Sequence, residues 1–88
     1  MQRREVTISN RLGLHARAAA KLVSVCMRYT SHVMVFANGR RAEGRRMIAL
    51  LLLSAAMGAK VAIEVSGPDE VQAVEAVARL ISDGFGEG

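Results

Sequence analysis

The hydrophobic period of this chain changes from two to about 3.6 residues at the turn Gly67-Pro68-Asp69, and that change constrains the fold more than any other feature. Before the turn, Val61, Ile63 and Val65 alternate with Ala62 and Glu64, the pattern of a half-buried strand. After it, Val71, Val74, Val77, Ala78 and Ile81 fall on one helical stripe. Pro68 and Asp69 suit a helix start, and Gly84 suits a C-terminal stop. A strand and a helix that are each apolar on one side must bury those sides against other elements. A chain of 88 residues has room for one such core, so residues 1–88 read as a single domain.

The same alternation of periods occurs earlier. Glu5 to Ser9 reads as a strand, with Val6 and Ile8 on one side. Ala16 to about Met27 is rich in alanine and leucine and free of glycine and proline. Ala19, Leu22, Val23 and Cys26 share one face there, as in an amphipathic helix. Val33 to Ala37 is apolar and β-branched. The Asn38-Gly39 pair after it marks a two-residue hairpin, with Arg40 to Glu43 as a charged return strand suited to a sheet edge. Met47 to Leu53 reads as a short helix. The order is β-α-β-β-α-β-α. It predicts an α+β fold, an antiparallel four-stranded sheet with three helices on one face.

Composition removes several function classes. Hydrophobic residues make up 51% and charged residues 23%, which fits a packed domain and argues against disorder. Cys26 is a lone cysteine, with no spacing that suggests a disulfide or zinc, and a core this small has no room for a large cofactor. The longest apolar run, Met47 to Met57, falls short of the roughly 18–20 residues of a membrane span. No apolar stretch follows the basic residues of the opening MQRREVTISN, so the expectation is a cytoplasmic protein without a secretory leader, monomeric by default. A net charge of +4 favours anionic partners. Nucleic acid is not expected among them. No recognition motif is present, and Tyr29, Phe36 and Phe85 are the sole aromatics that could stack on bases.

Of the two histidines, His32 lies beside a strand with no partner suggested by spacing, and reads as a surface histidine. His15 lies between a glycine-containing loop and the first helix, in Gly13-Leu14-His15-Ala16-Arg17. A helix start offers free backbone N–H groups and a positive dipole end, which together favour an anion. Arg17 adds a guanidinium suited to phosphate oxygens. The positive field disfavours imidazolium, and a neutral imidazole is a nucleophile. By spacing alone, a histidine that merely caps the helix is an equal reading.

Asn10-x-x-Gly13-Leu14-His15-Ala16-Arg17 resembles the active-site motif of the HPr family. These are the histidine-containing phosphocarriers of the phosphoenolpyruvate-dependent phosphotransferase system. Lys21-Leu22-Val23, Asn38-Gly39 and Ser66-Gly67-Pro68-Asp69-Glu70 extend the likeness nearly end to end. Ile48 to Leu53 with Gly58, and the ending Ser82-Asp83-Gly84-Phe85, look most like the nitrogen-related branch, NPr. The resemblance implies an open-faced β-sandwich with the element order read above. It implies that His15 is phosphorylated on Nδ1, that Arg17 stabilises the phosphoryl charge, and that the N–H groups of Ala16 and Arg17 help hold its oxygens. It also implies an enzyme I-type donor and an enzyme IIA-type acceptor. The protein would be a carrier with a transient phosphohistidine, without a small-molecule substrate of its own.

Two positions depart from the family pattern. Ala18 stands where proline is usual, and Arg46 stands where many members carry a regulatory serine. No serine-kinase control is therefore expected at position 46. Met47, Ile48, Leu51 and Leu52 are expected to remain partly exposed as a docking patch for partners, with Leu50 and Leu53 in the core. Arg40, Arg41, Arg45 and Arg46 read first as solvated edge and loop charge, and second as steering toward acidic partner faces. A phosphorylation-switched docking module that regulates its targets by binding, and a carrier in sugar uptake, are the alternative functions.

Overall fold

The computed structural model describes residues 1–87. Its strands are β1 (Gln2–Thr7), β2 (His32–Ala37), β3 (Arg40–Glu43) and β4 (Lys60–Ser66). Its helices are α1 (Ala16–Cys26), α2 (Met47–Leu51) and α3 (Glu70–Ser82), and a single 3-10 turn, Gly84–Gly86, follows α3. The strands form one sheet in the order β1-β4-β2-β3, antiparallel throughout. This is the α+β open-faced sandwich expected from the sequence.

The core lies where the two hydrophobic periods meet. Val33, Val35 and Ala37 of β2, Ala42 of β3, and Val61, Ile63 and Val65 of β4 are all buried. They pack with Ala18, Ala19, Leu22 and Cys26 of α1, Leu50 of α2, and Ala73, Val74, Val77, Ala78 and Ile81 of α3. The register Val35↔Ile63 and Val33↔Val65 keeps both central strands in phase on this face. The β2–β3 hairpin turns on Asn38 (φ 54°) and Gly39 (φ 73°), the left-handed pair that a two-residue turn of this hand requires.

The structure corrects four readings. β1 begins at Gln2 and ends at Thr7, earlier than the alternation placed it, because pairing of Gln2 with Val65 and Arg3 with Glu64 needs only backbone groups. α2 stops at Leu51 rather than Leu53. Leu52 is its cap, and Leu53 turns inward to the core ahead of Ser54 at φ 55°. Val71, assigned to the buried stripe of α3, is 54% exposed in the first turn, and Ala73 takes its place in the core. Phe85, counted among aromatics able to stack on bases, is buried.

The expected core positions hold. Leu50 and Leu53 are buried. Cys26 is fully buried, and burial pushes its thiol up to about 11 against the opposing charge of Arg45. No helix among the described residues is long and apolar enough to cross a membrane. Two of the clustered arginines hold the chain together as well as carrying charge. Arg40 donates to the Leu52 carbonyl (2.7 Å), and Arg45 to that of Tyr29 (2.5 Å).

Candidate functional site

The loop from Ser9 to His15 is fixed from several sides. Ile8 N–H donates to the Ala59 carbonyl (2.9 Å), Gly58 N–H to that of Ile8 (2.8 Å), and Leu14 N–H to that of Ala55 (2.8 Å). Leu14 buries its side chain in the core, so His15 emerges from a loop held at both ends. Gly13 has φ 65°, and its α-carbon lies against the backbone of Ala55 and Ala56, where a side chain has no room. Sequence therefore dictates the geometry here: glycine for the close approach, leucine for the anchor, then the histidine.

His15 is the N-cap of α1, with extended backbone angles (φ −81°, ψ −178°). Its own carbonyl accepts the N–H of Ala19 (2.8 Å), and its Nδ1 accepts the backbone N–H of Arg17 (3.3 Å). A ring nitrogen that accepts a hydrogen bond carries a lone pair, so the ring proton belongs on Nε2. Nε2 in turn lies 2.5 Å from Oε2 of Glu87 and donates to it. The histidine side chain is 24% exposed and that of Glu87 17%. The positive end of α1 and the carboxylate thus act on opposite nitrogens of one ring.

Arg11, Leu12, Ala16, Arg17, Lys21, Gly86 and Glu87 line an open cleft around His15. The side chain of Arg17 is exposed at its mouth. The N–H of Arg17, expected to hold phosphoryl oxygens, donates in this state to Nδ1 itself. A group bonded to Nδ1 would take up that lone pair and free the N–H. Ala18, in the family's proline position, is buried in the core under the first turn. Among the described residues, no three of His, Cys, Asp and Glu converge as metal ligands.

Sequence reasoning did not single out Asn10's contacts, Lys21 or Glu87. Asn10 is buried at 1% exposure, and its Nδ2 donates to the Gly13 carbonyl (2.8 Å) and to Oε1 of Glu87 (3.0 Å). Its Oδ1 is buried without a partner among the described residues. Lys21 Nζ donates to the Phe85 carbonyl (2.7 Å). The bond from Asn10, then that from His15 and the charge of Lys21, hold the Glu87 carboxyl below the ordinary carboxylate range, against a partial opposing effect of burial. The available signal was a lone acid beyond Gly84-Phe85-Gly86. Glycines flanking an aromatic mark a turn around an anchor.

The other expected residues lie on α2 and before it. Ile48 (70%) and Leu52 (61%) are exposed, as is Met47, while Leu51 is half-buried against the core. Arg46 caps the backbone entry to α2 without a side-chain cap bond, and its Nε donates to Glu43 (3.2 Å). His32 is exposed at the start of β2.

Comparison with known proteins matches this arrangement to one family. A family model described as the PTS HPr component phosphorylation site matches residues 2–83. The chain belongs to the HPr family of phosphocarriers of the phosphotransferase system. Among its relatives, the phosphocarrier protein HPr of Cupriavidus necator is 42% identical over 88 residues, covering 100% of this chain and 99% of that one. The phosphocarrier protein NPr of Klebsiella oxytoca is 45% identical over 83 residues, covering 93% and 92%. The crystal structure of an HPr from Thermoanaerobacter tengcongensis superposes with a TM-score of 0.94 at 30% identity, covering 100% of this chain and 99% of that one.

Proposed function

We propose that His15 is the phosphoryl acceptor of this phosphocarrier, receiving the group on Nδ1 from a phosphorylated enzyme I-type protein and passing it to a histidine of an enzyme IIA-type protein. The observation that carries this reading is the ring of His15, whose Nδ1 lone pair is aimed at the first-turn N–H of α1 within a cleft bearing Arg11, Arg17 and Lys21. Phosphoryl transfer asks a protein for position and charge stabilisation more than for covalent machinery. Attack by Nδ1 places three anionic oxygens over the start of α1. In this reading the N–H groups of Ala16 and Arg17 and the Arg17 guanidinium hold them. No metal or small cofactor is needed for this relay.

The exposed apolar side chains of Met47, Ile48 and Leu52, with half-buried Leu51, are the surface through which donor and acceptor dock. The same exposure favours the second reading, a module that regulates targets by binding and is switched by the phosphoryl charge. His15→Ala separates the two, since a pure carrier loses its activity and a binding regulator still binds. The likeness to NPr supports a place in a nitrogen-related regulatory relay in the cytoplasm, rather than in sugar uptake. Side-by-side phosphorylation by sugar-type and nitrogen-type enzyme I proteins tests the branch. Faster charging by the nitrogen-type donor is expected, and a clear preference for the sugar-type donor overturns it.

A further inference from the structure

The contact between Glu87 and His15, 72 positions apart, is held in place from both sides. Phe85 is buried at 1% exposure with φ 55°, between Gly84 (φ 65°) and Gly86 (φ 73°), so the chain folds sharply around an aromatic anchor. Lys21 secures the Phe85 carbonyl, and buried Asn10 secures Oε1 of Glu87. Oε2 is left for His15 Nε2. Arg11, Arg17 and Lys21 face the same cleft, and Glu87 is the one acidic side chain among the described residues lining it.

We propose that Glu87 is a positioning residue for phosphoryl transfer: its carboxylate fixes the His15 ring through Nε2–H, presents Nδ1 as the nucleophile, and balances the charge the ring acquires. The inference rests on the phosphocarrier reading above. In the transfer step the Nδ1 lone pair forms the new N–P bond as the bond from phosphorus to the donor's phosphohistidine nitrogen breaks. That bonding pair stays with the donor nitrogen. His15 keeps its Nε2 proton, and the ring becomes positive. The three cations of the cleft favour the arriving oxygens but oppose this ring charge. The Glu87 carboxylate, already on the Nε2 proton, offsets it without any proton moving. A carboxylate on the far nitrogen of a reacting histidine fixes its tautomer and stabilises its imidazolium in the same way elsewhere.

The test compares wild type, Glu87→Ala and Glu87→Gln as acceptors from an enzyme I-type protein charged with phosphoenolpyruvate. Glu87→Ala is expected to lower the maximal rate about tenfold, the scale of a lost hydrogen bond to a charged group. The half-saturating donor concentration should not change, because Glu87 is no part of the apolar patch. Glu87→Gln keeps an acceptor for Nε2–H without the charge, and should fall between the two. In proton NMR, wild type should show a solvent-protected, downfield His15 Nε2–H resonance that Glu87→Ala lacks. Rates within twofold of wild type in both variants, or absence of that resonance from wild type, would overturn the proposal. If Glu87→Ala loses its cooperative unfolding transition, Glu87→Gln alone decides the kinetic arm. If wild type accepts no phosphoryl group at all, the carrier reading has failed, and the resonance alone decides whether Glu87 holds the ring.

Discussion

A β-carbon on Gly13 would stand 2.4 Å from the carbonyl oxygen of Ala55. That oxygen also accepts the N–H of Leu14 at 2.8 Å, one residue before His15. The loop presenting the histidine is therefore seated directly on the segment between α2 and β4. Gly13→Ala adds a left-handed backbone penalty to this overlap, and should cost roughly 2–4 kcal/mol. Chemical denaturation should show the lower stability, and phosphoryl acceptance should fall with it because the displaced residue adjoins His15.

Cys26 and Gly44 form a second close approach. A β-carbon at Gly44 would lie 2.5 Å from Cys26 Sγ. Gly44→Ala should destabilise the domain by about 1–3 kcal/mol through overpacking. The double change Gly44→Ala with Cys26→Ala should recover part of that loss. With its thiol buried and pushed up to about 11, Cys26 should resist alkylation at neutral pH until the domain unfolds, measured by mass after iodoacetamide treatment.

Asp69 ties α3 to the start of β2. Oδ1 accepts from the Ser31 hydroxyl and from Ser31 N–H (2.9 Å), and Oδ2 from Thr30 N–H (3.0 Å). The Ser31 hydroxyl bond first, then the Thr30 N–H, lower the Asp69 carboxyl from its ordinary value. A carboxyl held lower in the folded state contributes stability above its unfolded pKa, and this is lost as pH falls through the folded value. Thermal unfolding midpoints should therefore decline below the ordinary carboxylate range. Asp69→Asn should start lower at neutral pH and decline less on acidification.

Core and docking roles on α2 separate by substitution. Leu50→Ala should cost about 2–5 kcal/mol, as for a fully buried leucine. Leu52→Asp should change stability by no more than about 0.5 kcal/mol, because its side chain is largely in water. It should nevertheless raise the half-saturating concentration of partner proteins about tenfold. A Leu52→Asp variant that loses cooperative unfolding would assign this residue to the core instead.

Arg46 stands at the entrance to α2 and offers no hydroxyl. Incubation with an HPr serine kinase should leave the Gly44–Ser54 segment unmodified by mass spectrometry. A phosphoserine found there would refute this.

Much of the fold is legible locally. Val61, Ile63 and Val65 announce β4 by alternation. Asn38-Gly39 fixes the hairpin, because few pairs tolerate its left-handed angles. Less legible is whatever depends on partners distant in sequence. β1 extends back to Gln2 because β4 offers a free edge there, although Gln2, Arg3 and Arg4 carry no hydrophobic pattern. Val71 has the helical spacing of a core residue, but in the first turn of α3 it faces water. His15 and Arg17 stand out in sequence because a loop, a helix start and a guanidinium are adjacent in the chain. Glu87 does not, since it reaches His15 only through the turn around Phe85.

The central claim is that His15 carries the phosphoryl group, and intact mass after charging tests it most directly. Wild type and His15→Ala would each be incubated with phosphoenolpyruvate and an enzyme I-type protein, then weighed before and after mild acid. Wild type should gain a single acid-labile phosphoryl group and His15→Ala none. An equal gain in both proteins would place the acceptor elsewhere, and no gain in wild type with either type of enzyme I would contradict the carrier itself.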